Sequence, residues 1–175
     1  MSESTRQSTL VLGQAAPEAP FLDSSGKPHS LKDLLTTAKG LPLLLAFFKV
    51  SCPTCQLTWP YLQKLHALWG GRAVRVAGVC QNTAAEGKAY FREYGKATFD
   101  LFVDPAPRFA ASNGYGVEAV PHLVLVSTGG KVQRLLAGWS KRDMETLSRE
   151  IAEAKGLAPK PLVPPSDPVV DWKAG

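Results

Sequence analysis

From Leu41 to Val50 the chain reads LPLLLAFFKV, ten residues with one charge, Lys49. An apolar run of this length, preceded by Gly40 and broken early by Pro42, is the pattern of a strand buried on both faces at the centre of an open sheet. After Pro53 the period changes. Leu57, Tyr61, Leu65 and Leu68 recur at helical spacing, so a helix runs to about Trp69 and stops at Gly70-Gly71. Pro60 lies inside it and is expected to kink it.

The other segments are read around this strand–helix unit. Asp23-Ser-Ser-Gly26 is a turn, giving a small hairpin with strands near 19–22 and 27–29. Ser30, with Asp33 three residues on, starts a short helix carrying Leu31, Leu34 and Leu35. AVRVAGVC, residues 73–80, is the next strand. Asn82 or Thr83 caps a helix with Tyr90, Phe91 and Tyr94, which stops before Gly95. FDLFVD is a short strand and APRFAASNGYG a helical turn. HLVLVSTGGKVQRLLAGW is a hairpin about Ser127–Gly130. Ser140 caps a last helix with Met144, Leu147, Ile151 and Ala154 inward. The expected architecture is α/β: a central mixed sheet, helices on both faces and an N-terminal hairpin extension. Residues 1–8 are expected to be disordered, 9–156 to form the domain, and 157–175 to be a proline-rich tail, extended or loosely packed.

The chain has 175 residues, enough for one domain with a full core. Its net charge of +5 comes from lysines and arginines scattered among acidic residues, with no basic patch for nucleic acid. The polar first residues lack the apolar core of a signal peptide, and LVLG cannot span a bilayer, so a cytoplasmic location without membrane attachment is expected. Three cysteines do not make a secreted disulfide framework. No apolar stripe is left over for a partner subunit, so a monomer is expected.

Cys52 and Cys55 then fall where the central strand meets its helix. Reactive groups of open α/β sheets collect at that edge. Unsatisfied N–H groups at the helix start favour a thiolate, which makes Cys52 the nucleophile. Cys55 follows one turn later on the same face, placed to attack a mixed disulfide held on Cys52. Pro53 suits the first helical position. Cys80 ends an apolar strand and reads as a small core residue. No second cysteine pair exists, and Cys80, His29, His66 and His122 repeat no ligand spacing, so neither a metal nor a cofactor is expected.

FFKVSCPTCQLTWP resembles the active-site segment of thioredoxin-fold proteins, in which a proline, here Pro60, follows five residues after the second cysteine. GYGVEAVPHLVLV resembles their second signature. That likeness implies a cis bond at Val120–Pro121 lying against the sulfurs, with the preceding backbone open to an extended partner. Val120, Pro121, Pro53 and Thr54 are then the residues that contact substrate. GQAAPEAPFLDSSGKPHSLKDL is similar to the N-terminal extension of the TlpA-like and AhpC/TSA (peroxiredoxin-like) branch. The resemblance covers about residues 10–155. It implies a thiol–disulfide oxidoreductase that acts on a protein or small-molecule disulfide and takes electrons from an upstream thiol system.

The chain departs from the pattern at three positions. Ser51 replaces a tryptophan, Ala46 a buried aspartate, and Thr58 a glutamate found in some TlpA-like members. The proton acceptor for Cys55 is then open among water, Lys49 and His122. An alternative reading is a peroxidase, since VSCPTC also resembles the peroxiredoxin segment Val-Cys-Pro-Thr-Glu, with Cys52 attacking peroxide and Cys55 resolving. Lys49 and Leu45 stand where that family needs threonine and proline. A third reading, a metal-binding module, requires His122 to converge on the cysteines.

Overall fold

The computed structural model describes residues 10–175; the stretch expected to be disordered, residues 1–8, lies outside them. In chain order the elements are β1 (Phe21–Leu22), β2 (Pro28–His29), α1 (Leu31–Thr37), β3 (Leu43–Phe48), α2 (Pro53–Trp69), β4 (Arg75–Cys80) and α3 (Ala84–Glu93). There follow β5 (Asp100–Val103), α4 (Ala110–Gly114), β6 (His122–Val126), β7 (Val132–Ala137), β8 (Trp139–Ser140), α5 (Lys141–Ala154) and β9 (Trp172–Lys173). Seven strands form one mixed sheet in the order β2-β1-β5-β4-β3-β6-β7. β3, β4 and β5 run parallel, while β6 pairs antiparallel with β3. The N-terminal hairpin joins this sheet through one antiparallel bridge, Leu22 to Val103.

Every residue of β3 is fully buried, as its unbroken apolar sequence requires. Each Leu or Phe so buried contributes on the order of 1.5–3 kcal/mol, which makes β3 the backbone of the core. Its two faces have different covers. Phe48 packs on Trp59 of α2 at 4.2 Å between ring centroids and on Tyr90 of α3 at 4.7 Å. Phe47, on the opposite face, meets Tyr115 at the end of α4 at 5.5 Å. Helices therefore lie on both faces, as the sequence pattern predicts.

The caps are those the sequence suggests. Ser30 and Asp33 form a reciprocal capping box: the Ser30 hydroxyl accepts from the Asp33 N–H at 3.0 Å, and the Asp33 carboxylate from the Ser30 N–H at 2.8 Å. Thr83, not Asn82, caps α3, and Ser140 caps α5. α2 runs through Pro60 as one helix from Pro53 to Trp69.

Two expectations need correction. Ala154 is exposed, and the inner face of α5 is Met144, Leu147, Ser148, Ile151 and Ala152. Trp69 explains part of the shift: its indole N–H donates to Ser148 Oγ at 2.9 Å, drawing a polar residue inward. The tail is not loose. Leu162 and Val163 are buried. The Glu145 carboxylate accepts from both of their N–H groups, at 2.9 and 2.6 Å, and Lys64 Nζ donates to the Leu162 carbonyl at 2.6 Å. Farther on, β9 pairs with β8 in a separate two-stranded sheet. Prolines prevent helix in this segment, but they leave it able to satisfy its backbone on side chains from α2 and α5.

Candidate functional site

β3 delivers the chain to Val50 at the sheet edge, where side chains from two directions hold the turn. Asn82 Oδ1 accepts from the Val50 N–H at 3.0 Å, and Gln56 Nε2 donates to the Val50 carbonyl at 2.9 Å. The Cys52 N–H then bonds the Lys49 carbonyl at 3.2 Å. Cys52 is the N-cap of α2 and Pro53 its first helical residue. In place of a hydroxyl the cap uses sulfur: Cys52 Sγ accepts from the Cys55 N–H at 3.1 Å. An N–H aimed at sulfur from a helix start is a donor geometry that steadies a thiolate.

The facing wall comes from the α4–β6 loop. The buried Asp104 carboxylate accepts from the N–H groups of Ala111 and Ser112 at 2.9 and 2.7 Å, which fixes the start of α4. The chain returns through Tyr115 to Val120–Pro121, and that peptide bond is cis. The Cys52 thiol donates to the Val120 carbonyl at 3.3 Å. A cleft of about 210 Å³ opens beside this contact, lined by Lys49, Gln81, Phe109, Ser112, Glu118 and Val120.

The two thiols differ in setting. Cys52 is half-buried, while Cys55 is fully buried. Burial, and after it the hydrogen bond with Cys52, raises the Cys55 thiol far above its ordinary range. Cys80 is fully buried at the end of β4, where burial pushes its thiol up to about 11. All three cysteines are thiols in this structure.

All six residues named from the sequence come together here. Cys52 caps α2, Pro53, Thr54 and Cys55 form its first turn, and Val120, with Pro121 next in the chain, lies against the Cys52 sulfur. His122 does not join them. It pairs with Phe47 and shares that residue's face of the sheet, opposite the Phe48 face on which α2 packs. It therefore serves neither as the proton acceptor for Cys55 nor as a ligand beside it. Thr58 is also committed: its hydroxyl donates to the Thr54 carbonyl at 2.7 Å. Among the described residues no group of three or more His, Cys, Asp or Glu converges as a metal site. Sequence reasoning missed Asn82 and Gln56. An Asn two residues after a strand suggests only a helix cap, and nothing local marks a partner 32 residues back.

A parallel strand running into a helix that begins at Cys52 and Cys55, with β6 antiparallel beside it and Val120 against the first cysteine, is the arrangement of the thioredoxin fold. The comparisons agree. The model of the AhpC/TSA family matches residues 12–135, and the chain belongs to that family. It is 25% identical to the thiol-disulfide oxidoreductase ResA of Geobacillus thermodenitrificans, over 81% of this chain and 78% of that protein. It is 27% identical to the thioredoxin-like protein YneN of Bacillus subtilis, over 76% of each chain. Among solved structures it superimposes on the thioredoxin domain of a thiol-disulfide oxidoreductase from Bacteroides vulgatus with a TM-score of 0.68 at 22% identity, covering 81% of this chain and 98% of that one. A thiol:disulfide interchange protein from Bacteroides sp. gives 0.68 at 23%, covering 84% and 94%.

Proposed function

We propose that Cys52 and Cys55 are the redox pair of this oxidoreductase and that its substrate is a disulfide. One observation carries the reading: the Cys55 N–H donates to Cys52 Sγ at the start of α2, with the more exposed sulfur turned toward Val120. The Cys52 thiolate attacks one sulfur of a substrate disulfide, forming a mixed disulfide and expelling the other sulfur as a thiolate, which takes a proton from solvent. Cys55 gives its proton to water and attacks Cys52 Sγ, forming the Cys52–Cys55 disulfide and releasing the second substrate thiolate. Two electrons pass from the pair to the substrate, and an external dithiol restores the pair by the same steps reversed. Val120, Pro121, Pro53 and Thr54 form the surface on which the substrate lies.

Reduction of insulin disulfides, with a dithiol as electron source, tests this. Cys52→Ser abolishes turnover, and Cys55→Ser accumulates a mixed disulfide on Cys52 that mass spectrometry detects. Undiminished turnover by Cys52→Ser refutes the assignment. Rapid peroxide consumption without disulfide reduction would favour a peroxidase instead.

A further inference from the structure

The last residues of the chain lie on the surface just assigned to the substrate. The segment leading there is tied down at several points. The Tyr61 hydroxyl donates to Asp167 Oδ2 at 2.8 Å, Lys141 Nζ to the Asp167 carbonyl at 2.7 Å, and the Trp139 indole N–H to the Val170 carbonyl at 2.7 Å. β9 then runs antiparallel to β8, with Trp172 opposite Ser140 and Lys173 opposite Trp139.

Beyond β9 the contacts reach the redox loop itself. The Ala174 carbonyl accepts from Thr54 Oγ1, between the two cysteines, at 2.6 Å. Gly175 lies against the Val120 main chain so closely that a Cβ on it would come 2.5 Å from the Val120 carbonyl oxygen. Gly138, whose N–H bonds the Pro121 carbonyl at 2.9 Å, lies under the same segment: a Cβ there would meet the Lys173 carbonyl at 2.7 Å. Glycines at 138 and 175 thus allow three stretches of main chain to touch. Thr54 is 3% exposed and Val120 9%, although both border the reactive sulfur. Trp172 to Gly175 are themselves exposed.

An extended segment laid along the backbone before Pro121 is how strand addition seats a peptide. We propose that residues 172–175 are a built-in occupant of the partner surface and so determine specificity. The proposal rests on the reading of Cys52 as the attacking thiol. While the segment is seated, Cys52 stays half-buried and so within reach of a small disulfide. A disulfide carried in an extended polypeptide needs the area over Thr54 and Val120 and is admitted only when the segment lifts. A two-residue, solvent-exposed strand belongs to the part of a fold that opens most readily. The affinity for such a polypeptide is then scaled by the fraction of molecules that are open.

The test compares the full chain with a form lacking residues 172–175 and with full-length Gly175→Val, whose added side chain cannot sit on Val120. Each is assayed with glutathione disulfide and with insulin. Separately, labelling of Cys52 by iodoacetamide and by a polyethylene-glycol maleimide is followed by mass spectrometry. Removing the segment is expected to raise the insulin and bulky-maleimide rates about five-fold or more, and to change the two small-reagent rates less than about two-fold. Gly175→Val moves them in the same direction by less. Unchanged rates in both variants, or equal acceleration of large and small reagents, would overturn the proposal. If no form reduces any disulfide, the redox reading fails, and the labelling contrast still decides whether the segment covers the surface.

Discussion

Cys52 Sγ lies 3.3 Å from the carbonyl oxygen of Val120, though 68 residues separate them in the chain. That contact joins the two halves of the site, the β3–α2 junction on one side and the loop before β6 on the other. It leaves Cys52 at the rim and Cys55 in the interior, so the two thiols of the proposed redox pair stand in different surroundings.

The first consequence concerns pH. Burial holds Cys55 protonated well above the ordinary thiol range. Its thiolate fraction therefore climbs about ten-fold per pH unit at all pH values below that raised point. Release of a preformed mixed disulfide from Cys52 should accelerate steadily between about pH 6 and pH 9. Rapid-quench mass spectrometry of a single turnover measures this, and a plateau reached near neutrality would contradict the buried setting of Cys55.

Asn82 supports the turn that presents Cys52. Its Oδ1 accepts from the Val50 N–H at 3.0 Å in a part-buried position. Asn82→Ala leaves that N–H unpaired and should cost about 1–2 kcal/mol of stability. The larger effect is expected on function: a loosened turn misaims Cys52, slowing insulin reduction while α3, capped by Thr83, stays intact. Urea unfolding, circular dichroism and turnover, measured together, separate these effects.

Cys80 should be separable from the chemistry. Cys80→Ala removes a fully buried sulfur and should cost about 1 kcal/mol at neutral pH while leaving disulfide reduction unchanged. The cost depends on pH. The folded state holds the Cys80 thiol protonated up to about 11, against a reference of 9.0. Unfolded chains therefore lose this proton first as pH rises. The stabilisation is complete below 9.0 and is lost as pH rises through about 11. About 2 kcal/mol is at stake. The gap between wild type and Cys80→Ala, read from urea midpoints, should narrow across that window and then change sign, the variant becoming the more stable at its alkaline end.

The tail supplies a further check. Leu162 is fully buried between α2 and α5, with its backbone held by Glu145 and Lys64. Leu162→Ala should destabilise the whole domain by about 2–4 kcal/mol, in one cooperative transition. A change confined to local proteolysis after Ala154 would mean that the segment packs only superficially.

Several elements could be read from the chain because their causes are local. The apolar run at 43–48 reads as an interior strand, and Cys52-Pro53 as the start of the helix after it. Ser30, Ser140 and the turn at Ser127–Gly130 act on neighbours a few residues away, so a short window contains the whole interaction. Periodicity was less reliable at the end of α5. A helical stripe predicts a face but not its edge, and a bond from Trp69 to Ser148 moved that edge.

The α/β order of elements and the placing of two thiols at a helix start can be read from the chain alone, since hydrophobic period and capping are short-range effects. That Asn82 holds the Cys52 turn, that His122 faces away from α2, and that residues 172–175 rest on Thr54 and Val120 emerge from the packing in three dimensions. Those outcomes depend on which distant backbone groups remain unpaired once the sheet has closed, and no local pattern in a chain records that.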